Sequence, residues 1–193
     1  MYVIDINSIG IVIIVLYFII ELLIYRKKQL LRRLIFLSFL IYTVNVLQQI
    51  TGGIHIPPFQ SNHWSWEWNI QLVPFYFLGD LISHYNHSGF SWFFWNAVKL
   101  SFYNILLLLP LGVYLSIYKI KNVKRAATII FAVSFGIETL QIVLTYYGIT
   151  YSRSFNVDDL ILNTLGGVLG YLAFEKLKNL YSIIYQKKQR VNV

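Results

Sequence analysis

The stretch "AATIIFAVSFGIETLQIVLTYY", residues 126 to 147, decides how this chain is read. It has the length of a membrane-crossing helix, for which roughly 20 apolar residues are needed. Yet it carries Glu138 and Gln141 in its second half. At helical spacing Ser134, Glu138, Gln141 and Thr145 recur at i, i+4, i+7 and i+11, so they share one face. The residues on the other faces, Ile137, Leu140, Ile142, Val143 and Leu144, are apolar. The pattern predicts a membrane helix whose polar stripe turns away from lipid, toward other helices or a water-filled cavity. An ionisable group at that depth costs roughly 2.5 to 3.5 kcal/mol on insertion scales and is by default a mark of function.

The rest of the chain agrees with a membrane reading. Of its 193 residues 57% are hydrophobic and 12% charged, and the mean hydropathy is +0.59, well above what one soluble core requires. Five apolar segments of spanning length stand near Ile9 to Tyr25, Leu34 to Ile50, Ala97 to Tyr118, Ala126 to Tyr147 and Leu160 to Leu177. The fold expected is therefore all-α, a polytopic transmembrane helix bundle of about five spans. The first apolar stretch is expected to stay as an anchor, because no basic region precedes it and no small-residue cleavage pattern follows it. There is no cysteine, hence no disulfide and no thiolate chemistry.

A net charge of +8 would suggest nucleic acid in a soluble protein. Here topology accounts for it, and no nucleic-acid partner is expected. Arg26, Lys27, Lys28, Arg32 and Arg33 lie between the first two spans. Lys119, Lys121, Lys124 and Arg125 lie between the third and fourth, and Lys176, Lys178, Lys187, Lys188 and Arg190 follow at the C-terminal end. All but Lys99 and Arg153 of the 16 basic residues thus fall on one side. Retention of positive charge in the cytoplasm then predicts an outside N-terminus and an inside C-terminus. The basic segments also suit anionic headgroups, and membrane lipids are the partner expected first.

The outer loop, about residues 51 to 96, holds all four histidines (His55, His63, His84, His87) and all five tryptophans (Trp64, Trp66, Trp68, Trp92, Trp95). Aromatics gathered at a water boundary read as an interfacial belt and a partly embedded loop, with ligand stacking as the alternative. No zinc-ligand spacing or phosphate-binding loop is present, and no cofactor is expected.

The next polar residues sit around the fifth span. In "RSFNVDDLILNTLGGVLGY", residues 153 to 171, Asp159, Asn163, Gly166 and Gly170 share a helical face with Gly167 beside them. The Gly166 to Gly170 spacing allows close helix approach, which is expected to bring Asn163 against the stripe of the fourth span. Asp158 and Asp159 stand in a first helical turn, where carboxylates suit the positive end of the dipole, so capping is an alternative to a role in a site. Arg153 reads either as their ion-pair partner or as a phosphate or carboxylate reader. The third span adds Asn104, at a depth similar to Gln141 and Asn163, and then Pro110 and Gly112, where the proline frees a backbone carbonyl. Glu21, near the cytoplasmic end of the first span, is expected to snorkel or to pair with a nearby cation.

Taken together, "NIQLVPF" (69 to 75), "NILLLLPLG" (104 to 112), "GIETLQ" (136 to 141) and "RSFNVDDLILNTLGG" (153 to 167) resemble the motifs of the VanZ-like family of small bacterial integral membrane proteins. The resemblance covers about residues 69 to 175. The first motif departs by two extra residues between Asn69 and the Pro74-Phe75 pair. The chain divides on this reading into an N-terminal two-span segment (1–68), a VanZ-like membrane domain (69–177) and a basic cytoplasmic tail (178–193). Carried over, the family's polar set is Asn104, Glu138, Gln141, Arg153, Asp158, Asp159 and Asn163, with Pro110, Gly112, Gly166, Gly167 and Gly170 serving helix packing. The family is named after an accessory protein of glycopeptide-resistance clusters associated with low-level teicoplanin resistance. The resemblance therefore implies a multi-pass protein of the bacterial cytoplasmic membrane with a cell-envelope role.

Two functional readings follow. In the first, an outward-facing polar pocket binds an envelope lipid or a lipoglycopeptide-like amphiphile. In the second, the protein is an intramembrane hydrolase or transferase acting on an envelope lipid, in which a desolvated Glu138 and a hydrated Asp158 or Asp159 divide acid and base roles and Arg153 holds a phosphate. A purely structural polar lock explains the amides well. It explains a carboxylic acid less well, since Gln would pack equally without the cost of ionisation.

Overall fold

The computed structural model describes residues 2–24, 30–58, 65–151 and 153–191, which form helices joined by turns, with four short strands among them. The order is β1 (Tyr2–Ile4), α1 (Ile6–Ile24), α2 (Leu30–Thr51), β2 (Ile54–Ile56), α3 (Trp66–Asn69), β3 (Ile70–Gln71), α4 (Tyr76–Ser88), α5 (Trp92–Ile117), α6 (Val123–Tyr146), β4 (Phe155–Asn156) and α7 (Val157–Val191). A helix stands at each of the five expected spans. Among the described residues α2, α5, α6 and Val157–Lys187 of α7 are long and apolar enough to cross a membrane, whereas the apolar part of α1, Ile6–Glu21, is shorter. Helix α7 runs on through residues 178–191. Arg26, Lys27, Lys28, His63 and Trp64 lie outside the described residues.

The chain forms two compact units, Met1–Gln71 with Thr139–Phe155, and Leu72–Glu138 with Asn156–Val193. In the first unit β1 pairs antiparallel with β2, placing Tyr2 opposite Ile56, Val3 opposite His55 and Ile4 opposite Ile54. Helix α1 begins where Asp5 Oδ2 accepts the Ser8 N–H, an N-cap that satisfies a donor the helix itself leaves open. It packs on α2 at Gly10, where a Cβ would run into the Val44 side chain. The pair is held further along by the Tyr17 and Phe36 rings, 5.5 Å apart, and by Glu21 Oε1 and Arg33 Nε at 3.4 Å. Glu21 is thus paired with a cation, one of the two roles expected of it.

The second unit is built on the packing of α5 against α7, and its seam is made of glycines. A Cβ at Gly166 would fall on the carbonyl oxygen of Ile105, one at Gly170 on that of Leu109, and one at Gly112 on that of Gly167. Beside the seam a Cβ at Gly167 would meet the Ile130 side chain of α6 at 2.5 Å. In lipid no hydrophobic force draws helices together, so backbone-to-backbone approach through small residues supplies the van der Waals contact that does. Leu108 of α5 and Leu162 and Tyr171 of α7 are buried, as are Ala126 and Ile130 of α6.

The C-terminal end of α5 is locked to α7 by polar groups. Ser116 Oγ and Lys178 Nζ both donate to Glu175 Oε1, at 2.7 and 2.6 Å. Lys178 also donates to the Ser116 carbonyl, and the Tyr171 hydroxyl to that of Ile120, at 2.6 Å. The Ser116 carbonyl, in the last turn of α5, so gains a donor besides the Lys119 N–H.

Candidate functional site

The polar stripe of the fourth span is withdrawn from the surface as its periodicity requires. Ser134, Glu138 and Thr145 are buried, Glu138 to 2% exposure, and Gln141 is half-buried. The seven expected site residues then divide between the two units.

In the second unit a hydrogen-bonded series starts at Glu138. Its Oε2 accepts the backbone N–H of Asn156 at 3.2 Å. The Asn156 side chain in turn accepts the N–H of Asp158 at 2.9 Å. Asn156 immediately precedes α7, so it is the N-cap of that helix, bonding the second helical residue in the way such caps do. Asp158 is buried to 2% exposure, and its carboxylate looks away from its own helix. Oδ1 accepts the N–H of Phe75, and Oδ2 accepts that of Phe77 at 2.8 Å.

This use of Asp158 explains a strained residue. Phe75, at the N-cap of α4, has φ 63° and ψ 20°, and its side chain makes no capping bond. A bulky residue in the left-handed region costs of order 1 kcal/mol or more. Two charge-assisted bonds from one carboxylate, each worth about 1.5 to 3 kcal/mol, more than offset that cost. Asp158 therefore caps α4, not α7. The expected capping role is present, but the helix served is another one.

Asp159, one residue on, faces α5. Asn104 Nδ2 donates to its Oδ1 at 2.6 Å, a direct bond between α5 and α7. Ser134 Oγ reaches the Leu160 carbonyl at 3.5 Å, a long bond between α6 and α7. Asn163 lies on the same face of α7 as Asp159, is 1% exposed, and its Oδ1 has no hydrogen-bond partner among the described residues. A buried amide oxygen left so costs about 1 to 3 kcal/mol, which makes it an acceptor awaiting a donor.

Gln141 and Arg153 belong to the first unit, and there they act on the end of α2. Gln141 Nε2 donates to the Ile50 carbonyl at 3.3 Å, and Arg153 Nη2 to the Gln49 carbonyl at 3.4 Å. These are last-turn carbonyls, which a helix cannot satisfy internally and which favour a cation nearby. The Arg153 backbone N–H donates to Thr145 Oγ1 at 3.1 Å. Within its own unit Arg153 thus serves as a C-cap of α2.

Asn156 was not singled out from sequence, although an Asn directly before an apolar run with acids in its first turn marks a helix start. Phe75 was named as part of the first motif, but its left-handed conformation had no local signal, because a non-glycine residue at positive φ is fixed by its distant partner and not by local propensity.

Comparison with curated proteins and with solved structures returns no match. The family described as VanZ/LLP1 matches residues 39–179, a span that includes most of α2 as well as the four motifs, the glycine seam and every residue of the candidate site. By that match over well more than half of its length, this membrane protein belongs to the VanZ/LLP1 family.

Proposed function

We propose that the protein sits in the bacterial cytoplasmic membrane with its N-terminus outside and its C-terminus inside, and binds an envelope lipid or lipoglycopeptide-like amphiphile at an outward-facing polar site around Glu138, Asn104, Asp159 and Asn163. Binding of this kind contributes to teicoplanin-type glycopeptide resistance. The observation that carries the reading is Glu138 itself, a carboxylate 2% exposed on a helix of membrane-spanning length. The Asn156 N–H it receives needs only an oxygen acceptor, and Gln would provide that without the cost of an ionisable group in lipid. The unpartnered Oδ1 of Asn163 adds an acceptor for a ligand hydroxyl or amine. In the hydrolase or transferase alternative Asp158 is occupied by two backbone N–H groups, which leaves Asp159, the acceptor of Asn104, as the second carboxylate beside Glu138.

The test is teicoplanin susceptibility of a sensitive Gram-positive host expressing the wild type, Glu138→Gln, Asn163→Ala or Arg153→Ala, with membrane abundance measured in each strain. Protection lost in Glu138→Gln and Asn163→Ala at unchanged abundance is the expected result. Arg153→Ala, which removes a helix cap, should act through lower abundance. Normal protection by Glu138→Gln at normal abundance overturns the proposal.

A further inference from the structure

Helix α4 leaves an apolar stripe at the surface. The half-buried positions Phe77, Asp80, Leu81 and His84 recur at i, i+3, i+4 and i+7 and form its inner face. Through this face α4 meets α5, with His84 stacked on Phe93 at 6.2 Å and Asp80 Oδ1 3.4 Å from His84 Nε2. The outer face carries Leu78, Ile82 and Tyr85 at i, i+4 and i+7, exposed by 47%, 61% and 49%. A surface helix in water buries such a stripe and shows its acid and imidazole to solvent. Here the apolar stripe is left at the surface, beside an ionisable pair whose own side chains are 36% and 45% exposed.

The stripe does not end with the helix. Tyr85 meets Phe90 at 5.0 Å, and Phe90 meets Phe94 at 5.3 Å and Trp95 at 6.2 Å. The aromatic surface therefore passes without a break onto the first turns of α5, where Trp92 and Trp95 are exposed. It continues along that helix through the exposed Leu100, Phe102, Tyr103 and Leu106. Because α5 is long and apolar enough to cross a membrane, lipid covers that surface, and the outer face of α4 joins it. With 13 residues, α4 is about 20 Å long at 1.5 Å per residue, too short to span a hydrocarbon core. The Asp158 carboxylate fixes its first turn.

We propose that α4 is a membrane-interface helix, with Leu78, Ile82 and Tyr85 seated at the boundary of headgroups and acyl chains around the N-terminal end of α5. Its partner is the bilayer surface, and the attraction is apolar: α4 contains no Lys or Arg, so neutral and anionic lipid hold it alike. Interfacial helices that read anionic lipid carry basic residues on the polar face.

The chain has no cysteine, so one introduced thiol can be labelled cleanly in the full-length protein. Ile82→Cys, Leu78→Cys and, on the polar side of the helix, His87→Cys would each carry an environment-sensitive fluorophore in vesicles of phosphatidylcholine, with or without phosphatidylglycerol. Labels at 78 and 82 should be quenched by lipids bearing a shallow nitroxide and should be several-fold less accessible to aqueous iodide than the label at 87, equally in both lipid mixtures. Equal iodide quenching at 82 and 87 would place the face in water. Protection of 78 and 82 from both quenchers would show protein covering it, and lipid quenching only with phosphatidylglycerol would show charge-driven binding. Any of these three results overturns the proposal.

Discussion

The backbone N–H of Asn156 donates to Glu138 Oε2 at 3.2 Å, which ties the buried acid of α6 to the N-cap of α7. Asn156 passes the connection to Asp158, and Asp158 to the first turn of α4. The acid is thus part of the scaffold as well as a site candidate, and substitutions can separate the two roles. Glu138→Gln keeps an acceptor for Asn156 and should change thermal stability in detergent little. Glu138→Ala removes it and should cost about 1 to 3 kcal/mol. Thermal unfolding of the two variants measured side by side checks this.

Asp158 should be the more costly aspartate to lose. Asp158→Ala deprives two N–H groups and a left-handed Phe75 of their acceptor, and an expected loss of about 2 to 4 kcal/mol follows from charged hydrogen bonds of this kind. Asp158→Asn keeps one acceptor and should fall between. Amide hydrogen exchange at residues 75 to 77 should accelerate in Asp158→Ala, while exchange in the middle of α5 should accelerate much less.

Phe75 offers a complementary test in which the native residue is the strained one. Glycine occupies the left-handed region without penalty, so Phe75→Gly should stabilise or be neutral even though it deletes a ring, because that ring is 57% exposed. Phe75→Val, β-branched, should destabilise by about 1 to 2 kcal/mol. Equal effects of the two substitutions in thermal unfolding would contradict the left-handed conformation.

The glycine seam predicts a contrast along the span helices. Gly166→Ala and Gly112→Ala each place a methyl group on a facing backbone oxygen, which side-chain movement cannot relieve, and should cost at least the 1 to 3 kcal/mol or so typical of overpacking. A Cβ at Gly136 meets nothing within 4 Å, so Gly136→Ala should be neutral or stabilising by up to about 1 kcal/mol through helix propensity. Membrane abundance and thermal unfolding of the three variants report the contrast.

Asn104 and Asp159 should show a measurable coupling. A double-mutant cycle with Asn104→Ala and Asp159→Ala isolates their bond. Neutral interhelical bonds in membranes average about 0.6 kcal/mol, and the carboxylate acceptor should place this one above that value. Additive effects would mean that the 2.6 Å contact contributes nothing to stability.

Much of this protein is legible along the chain. An apolar run of some 20 residues becomes helix in lipid because no water is present to satisfy its backbone. That rule is local, and helices stand at all five segments it marks. The burial of Ser134, Glu138 and Thr145 follows in the same way from the 3.6-residue period. The small residues of α7 likewise announce a close helix partner before the partner is known.

Partnership is what the tertiary structure alone decides. Asp158 meets donors more than 80 positions earlier in the chain, and Asp159 meets one 55 positions away. Gln141 and Arg153, read beside the other polar residues as one set, are spent on the carbonyls that end α2. A carboxylate or guanidinium at a helix end looks the same in sequence whether it caps its own helix, caps another or waits for a ligand. The donors it reaches depend on how far neighbouring helices approach and in what register, and here backbone contacts at Gly112, Gly166 and Gly170 set both.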